Sequence, residues 1–192
     1  MNYYIADLHI GCTNLYEHRT LEHDQILKNN WNSIITNADD VYILGDIGRT
    51  GNTKETEYLI SQIATLKGKK HLIIGNHDNL KDIRLRQLFI EIIDYKEIID
   101  NFNGMSHKLI LSHYPILMWN NQHKKSILLY GHLHDTEEDY IYQNALAMLN
   151  TSFEKHTKEG RTDCPKCIAI NVGVMKEYMN YTPRTLKELL KN

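Results

Sequence analysis

The chain has 192 residues, a formal net charge of −2 and a hydrophobic content of 42%. This length suits a single domain over residues 1–192 with a full hydrophobic core, and the near-neutral charge gives no general attraction to nucleic acid or to an anionic membrane. The sequence starts without a signal-peptide pattern, and no apolar run reaches the ~18 residues that a transmembrane helix needs. We therefore expect a cytoplasmic protein without a membrane partner.

Strands and helices are predicted to alternate in the first half of the chain. Short apolar runs indicate strands, and apolar residues at helical spacing indicate amphipathic helices. The predicted strands are 2–6, 41–44 and 71–74, and the predicted helices are 22–36, 54–67 and 80–91. This alternation is typical of βαβ units, so we expect a largely parallel sheet.

The second half is predicted to be richer in strands, which favours a second sheet packed on the first. The predicted strands are 92–99, 107–112, 126–130 and 167–174, and the predicted helices are 139–150 and 184–191. The polar stretch 151–163 is expected to be an exposed loop after a helix. Residues 135–166 are interpreted as a family-variable insertion within the domain.

The chain has three cysteines, and two of them, Cys164 and Cys167, form a C-x-x-C pair. A zinc ribbon needs two such pairs, and a thioredoxin-like site needs the pair at the start of a helix rather than before a strand. We favour two thiols at the junction between a loop and a strand. A half-site completed by a second chain and a reversible disulfide remain open.

Polar residues with metal-binding chemistry follow the predicted strands directly. They are Asp7, His9, Asp46, Asn76, His77, Asp78, His113, His132 and His134. In open α/β sheets, ligands bind outside the carboxyl ends of the strands. We therefore expect these side chains, which come from five strand ends, to converge on one crevice.

The donor set within this group favours two metal ions. It consists of Asp7, His9, Asp46, Asn76, His113, His132 and His134. One divalent ion does not need so many ligands, whereas two ions about 3.5–4 Å apart with a bridging carboxylate do. Carboxylate and imidazole ligands suit Mn, Fe, Zn or Ni better than Mg or Ca. Each fragment alone is a weak signal, since residues 76–78 also fit a helix cap, but separate caps and turns need not occur in this order.

The motifs resemble those of the calcineurin-like metallophosphoesterase superfamily. They are Asp7-Leu8-His9, Gly45-Asp46, Gly75-Asn76-His77-Asp78, Ser112-His113 and Gly131-His132-Leu133-His134. More narrowly, the chain is similar to the small bacterial and phage phosphoesterases of this superfamily, over nearly all residues outside 135–166. The resemblance implies an α/β fold of the metallophosphoesterase type, a two-sheet αββα sandwich.

The resemblance also implies how the ligands are divided between two divalent transition-metal ions. The first ion would take Asp7, His9, Asp46 and His134. The second would take Asp46, Asn76, His113 and His132, with Asp46 bridging. Mn is the expected metal, with Fe, Zn or Ni as alternatives.

Two further roles are implied by the family motif around residue 77. His77 matches a histidine that faces the substrate and protonates the leaving oxygen, a role suited to an imidazole near neutral pH. Asp78 is expected to orient and polarise His77.

Three positions raise questions about substrate preference. Cys12 stands where close relatives often have a histidine, and a buried packing role is the favoured interpretation. Arg49 falls one residue early for the protein-phosphatase motif, which disfavours a phosphoprotein phosphatase. Arg19 is a candidate phosphate-binding residue, although an exposed charge beside a helix explains it equally well.

The expected function is a phosphoric ester hydrolase that cleaves small phosphate monoesters or diesters with a metal-bridging hydroxide and His77 as general acid. The alternative is a nuclease or nucleic-acid-end phosphatase of the same fold, which would need a basic groove lined with aromatic residues. Most of the twelve tyrosines lie within strand or helix patterns, so a nucleic-acid partner is disfavoured. A non-catalytic interaction module is a third hypothesis, disfavoured because every ligand position is filled. The sequence leaves the physiological substrate and the oligomeric state open.

Overall fold

The computed structural model describes residues 1–12, 21–160 and 165–191. Four parallel strands form the first sheet in the order β1-β2-β3-β4. These strands are β1 Asn2–Ile5, β2 Asp40–Leu44, β3 Lys69–Ile73 and β4 Glu91–Ile93. The helices between them are α1 Leu21–Ile34, α2 Thr53–Ala64 and the short α3 Ile83–Arg86. The predicted parallel βαβ arrangement is therefore confirmed.

The second sheet has the order β5-β6-β7-β8, with β5 antiparallel to β6 and the other pairs parallel. Its strands are β5 Tyr95–Phe102, β6 Met105–Ser112, β7 Ile127–Tyr130 and β8 Ile168–Asn171. A short 3-10 helix at Gln122–Lys124 precedes β7. The long helix α4 Glu137–Lys158 lies between β7 and β8, and α5 Leu186–Leu189 follows β8.

The core lies between the two sheets. Successive residues of a strand point to opposite faces, and β6 shows this alternation clearly. Leu109 and Leu111 belong to the same buried cluster as Ile43 of the first sheet, whereas Ile110 packs with Tyr142 of α4. The last four residues of β2 are all buried, as expected for a strand covered on both faces. This layering confirms the predicted αββα sandwich.

The chain between β3 and β5 differs from the prediction. The helix expected at 80–91 is limited to four residues, because the backbone N–H of Ile90 donates to the carbonyl of Lys70 and draws the chain into the first sheet as β4. The strand expected at 92–99 is divided between two sheets, with Asp94 as the residue between β4 and β5. Periodicity does not reveal such a change of sheet, since both pieces are equally strand-like.

The exposed loop expected at 151–163 is also wrong over most of its length. Helix α4 continues to Lys158, with Phe153 packed against the second core cluster. Its last turn contains basic residues, among them Lys155 and His156, and these interact favourably with the helix dipole. Among the residues described, no helix combines the length and the apolar character that a membrane span requires.

Candidate metal centre

The candidate site lies at the carboxyl ends of strands from both sheets. Asp7 and His9 follow β1, Asp46 follows β2, and Asn76 follows β3, all in the first sheet. The remaining side chains follow β6 and β7 of the second sheet; they are His113, His132 and His134. Parallel strands bring these ends to one edge of each sheet, and the packing of the two sheets brings the edges together.

The backbone at this site is held in an uncommon conformation. Five of the candidate ligands have positive φ angles: Asp7 (57°), His9 (44°), Asp46 (55°), His132 (70°) and His134 (52°). A residue other than glycine costs about 1–3 kcal/mol in such a sparsely populated conformation. Hydrogen bonds between the strand ends hold it there, including those from the Asp7 N–H to Gly45 O at 3.0 Å and from the His9 N–H to Asp46 O at 2.9 Å. The concentration of this strain on the candidate ligands indicates a functional site.

Glycine at two positions lets the candidate carboxylates approach the backbone closely. A Cβ atom at Gly173 would lie 2.8 Å from Asp7 Oδ2, and one at Gly75 would collide with Asp46 Oδ1. Both carboxylates are also fixed by hydrogen bonds. Asp7 accepts the backbone N–H of His132 at 3.0 Å, and Asp46 Oδ1 accepts the backbone N–H of His77 at 2.9 Å.

All four members of the first group of candidate ligands are buried. The group consists of Asp7, His9, Asp46 and His134, whose ligand atoms all lie within 4.8 Å of one another. The Nε2 atoms of His9 and His134 are 3.1 Å apart. Two imidazole nitrogens so close, with two carboxylates beside them, form a donor set that suits a transition-metal ion.

The second group shares Asp46 with the first. Its other members with ligand atoms inside the same 4.8 Å limit are His113 and His132. The amide oxygen of Asn76 lies 2.9 Å from His113 Nε2 and 2.9 Å from His132 Nδ1, so Asn76 completes the group. The structure therefore brings together all seven residues of the predicted donor set.

Asp46 Oδ2 lies between the two groups, 3.7 Å from His9 Nε2 and 3.7 Å from His113 Nε2. This oxygen is buried and has no hydrogen-bond donor within the described part of the chain. A buried carboxylate oxygen without a partner is costly, whereas a bound cation would satisfy it. The residues present therefore fit two divalent ions that share Asp46.

The tautomer of His113 also suits metal binding. Its Nδ1–H donates to the carbonyl oxygen of Leu44 at 2.8 Å, so the Nε2 lone pair points toward Asp46 and Asn76. Burial lowers the pKa of His113, although the charge of Asp46 acts in the opposite direction. The neutral imidazole, which is the form that binds metals, is therefore favoured.

The carboxylate of Asp78 is hydrogen-bonded to the backbone, and its predicted effect on the His77 ring stays a prediction. This carboxylate accepts the backbone N–H groups of Asp46 at 3.0 Å, Ile47 at 2.8 Å and Gly75 at 2.8 Å. Burial raises the pKa of Asp78, and these hydrogen bonds oppose that shift. The contacts connect the loop after β2 to the loop after β3 through the backbone that carries Asp46.

The side chain of His77 is exposed beside the site. Its ring centroid lies 5.9 Å from that of His9. Both residues line a cavity of about 400 Å³, together with Cys12, Arg49 and Asn79. Cys12 is buried, as the packing interpretation requires. The expectations for Arg19 and for Cys164 concern residues outside the described ranges.

Sequence reasoning assigned no role to Asn171, although it is a buried polar residue at the site. Its Nδ2 donates to the carbonyl oxygen of His134 at 2.9 Å, and its Oδ1 accepts the N–H of Gly173 at 2.9 Å. Asn171 thus connects the end of β8 to one candidate ligand and to the glycine that makes room for Asp7. The available signal was an asparagine within the apolar run of the last predicted strand, 167–174.

An αββα sandwich with carboxylate, amide and imidazole groups gathered at its strand ends defines a metal-dependent hydrolase of the metallophosphoesterase class. The family model for calcineurin-like phosphoesterases matches residues 3–182, and the chain belongs to this family. The predicted family resemblance is therefore confirmed. Members of the family are metal-dependent and act on phosphoesters.

Several proteins are similar to this chain over most of its length. The gene 66 protein of Mycobacterium phage L5 is 30% identical over 159 residues, covering 69% of this chain and 76% of the phage protein. An uncharacterised protein of Methanocaldococcus jannaschii is 26% identical over 98% of this chain and 89% of its own length. The crystal structure of a protein of unknown function from Aquifex aeolicus has the same fold, with a TM-score of 0.66 and 24% identity over 100% of this chain and 98% of that one.

Proposed function

We propose that this protein is a binuclear metal-dependent phosphoesterase that hydrolyses small phosphate monoesters or diesters. The observation that carries the proposal is the position of Asp46 Oδ2, buried between two imidazole-containing groups at 3.7 Å from a nitrogen of each. A carboxylate in that position is better suited to bridge two metal ions than to form a structural hydrogen bond.

The two ligand sets follow from the two groups of side chains. Asp7, His9, Asp46 and His134 would hold the first ion, and Asp46, Asn76, His113 and His132 the second. Mn is the metal we propose, because oxygen and imidazole donors suit it and the set has no thiolate. When bound, two such ions supply an activated water and offset the negative charge that develops on the phosphate oxygens.

His77 is proposed to protonate the leaving oxygen of the ester. Its backbone is fixed by the hydrogen bond from its N–H to Asp46 Oδ1, while its ring remains exposed on the cavity. A proton donor beside the reacting group contributes about 10²–10⁴-fold in rate. Asp78 is proposed as a positioning residue, because it holds the backbone that carries Asp46.

The first part of the test measures metal content. Protein purified without chelator is analysed by elemental mass spectrometry, and the Asp46→Asn variant is analysed in parallel. We expect about two equivalents of transition metal per wild-type chain and a clear reduction in the variant, since Asp46 belongs to both ligand groups. Wild-type protein that binds no divalent ion when titrated would refute the proposed site.

The second part measures hydrolysis of p-nitrophenyl phosphate and bis-p-nitrophenyl phosphate with added Mn²⁺. We expect His77→Ala to lower kcat by about 10²–10⁴-fold. His123→Ala is the matched control, because His123 is an exposed histidine in the 3-10 helix before β7, and we expect it to retain wild-type activity. The assignment of His77 fails if the two variants are equally active.

A further inference from the structure

The loop after β6 begins with an exposed aromatic side chain next to the candidate metal centre. Tyr114 follows His113 directly, and about half of its surface is exposed (48%). Its ring centroid lies 4.7 Å from that of His132 and 5.1 Å from that of His113, in edge-to-face geometry. Tyr114 therefore touches two members of the second ligand group and still has surface open to solvent.

The backbone of this loop is fixed by side chains from outside it. The carbonyl oxygen of Ile116 accepts the Tyr142 hydroxyl at 2.9 Å, and that of Leu117 accepts Gln122 Nε2 at 2.9 Å. The loop is thus held in place while Leu117 and Met118 remain exposed, at 39% and 62%. Tyr114, at the start of this fixed loop, is therefore an aromatic side chain held at the edge of the site, where it can contact a ligand.

A cavity lies on the other side of the site. The cavity lined by His9 and His77 extends to Arg49, whose Nε lies 3.3 Å from Glu55 Oε1. This cavity belongs to the side of the first ligand group, whereas Tyr114 borders the second. A volume of about 400 Å³ lies in the usual range for small-molecule sites. Tyr114 and this cavity thus flank a single centre, because the two ligand groups share Asp46.

We propose that Tyr114 binds a planar aromatic substituent of the substrate, either an aryl ring or a nucleobase, while the rest of the ester occupies the Arg49 cavity. This inference rests on the proposed phosphoesterase function and narrows it to aromatic phosphodiesters. Stacking suits this position, because every planar base or aryl ring has a π-face that an aromatic side chain can contact without sequence-specific hydrogen bonds.

The test compares two diesters of equal charge and similar size. Diphenyl phosphate has planar rings, and dicyclohexyl phosphate has puckered ones. Their binding to Mn²⁺-loaded His77→Ala protein is measured by calorimetry, so that turnover does not interfere. We expect diphenyl phosphate to bind more tightly, and we expect Tyr114→Ala to weaken its binding about tenfold without affecting dicyclohexyl phosphate. Tyr114→Phe should preserve the preference, since it retains the ring.

Tyr140→Ala in the same background is the matched control. Tyr140 is 68% exposed on α4, on a different side of the helix from the buried Tyr142 that contacts the loop. We expect it to leave both affinities unchanged. Equal affinities for the two diesters, or an equal loss for both in Tyr114→Ala, would overturn the inference.

A separate measurement distinguishes this result from a failure of the proposed function. Protein with His77 intact is assayed on bis-p-nitrophenyl phosphate with Mn²⁺. Turnover combined with no role for Tyr114 in binding would reject the inference alone. No turnover of this diester or of p-nitrophenyl phosphate would reject the proposed function itself, whatever the binding experiment shows.

Discussion

Replacing Asp46 with asparagine is expected to stabilise the metal-free protein, although Asp46 is the residue that both ligand groups share. Asp46 Oδ2 is buried without a hydrogen-bond donor within the described residues, and such a group costs about 1–3 kcal/mol. The amide of D46N keeps an acceptor for the His77 N–H. Its NH₂ group would take the place of Asp46 Oδ2 and could donate to His9 or His113, whose Nε2 atoms lie 3.7 Å from that oxygen. We expect the free energy of unfolding in EDTA to rise by about 1–3 kcal/mol. For a chain of this length, each kcal/mol raises Tm by roughly 2–4 °C.

Added Mn²⁺ should make the wild-type protein more stable than D46N. An ion that binds only the folded state stabilises it by about 2.7 kcal/mol at 100 times its Kd. The wild-type protein has two ligand groups that can each bind an ion and so stabilise the folded state, whereas D46N lacks the carboxylate that belongs to both groups. Urea unfolding followed by circular dichroism, in EDTA and in Mn²⁺, measures both differences.

Asp78→Asn is the matched control, because Asp78 is a partly buried carboxylate that accepts three backbone N–H groups. Its replacement removes acceptor capacity, so we expect a loss of about 1.5–3 kcal/mol in EDTA, opposite in sign to the effect of D46N. The reasoning is refuted if D46N is less stable than the wild type in EDTA. It is also refuted if D46N and D78N change stability in the same direction there.

Three other substitutions test the surroundings of the site. Gly173→Ala should displace the Asp7 carboxylate, because the new Cβ would lie 2.8 Å from Oδ2; we expect lower metal content and a loss of about 1–3 kcal/mol, measured by elemental analysis and urea unfolding. Asn171→Leu should weaken metal binding in a titration by about tenfold or more, since it removes the donor to the His134 carbonyl. Leu129→Ala, at a fully buried position between the sheets, should cost about 2–5 kcal/mol and leave the metal stoichiometry unchanged; a loss of metal without a loss of stability would contradict this separation.

Sequence alone was enough to predict the layered fold and the chemistry of the candidate site. The spacing of apolar residues along the chain distinguishes strands from helices. The carboxyl ends of parallel strands lie at one edge of their sheet, because parallel strands run in the same direction. Residues such as Asp46 and His113 could therefore be placed together without coordinates. The division of 92–99 between two sheets could not be predicted, because strand propensity does not specify which neighbour a strand pairs with.

Only the tertiary structure decided how the site is held. The positive φ angles at five candidate ligands depend on hydrogen bonds between strand ends far apart in the chain, and local sequence favours more common conformations. The same holds for Asp78, whose carboxylate binds the backbone of Asp46 and Ile47, about thirty residues away along the chain. Residue types determine which chemistry is available, and local patterns determine where strands end. Contacts between distant segments fix the direction of each side chain, because they alone can hold the backbone in a strained conformation.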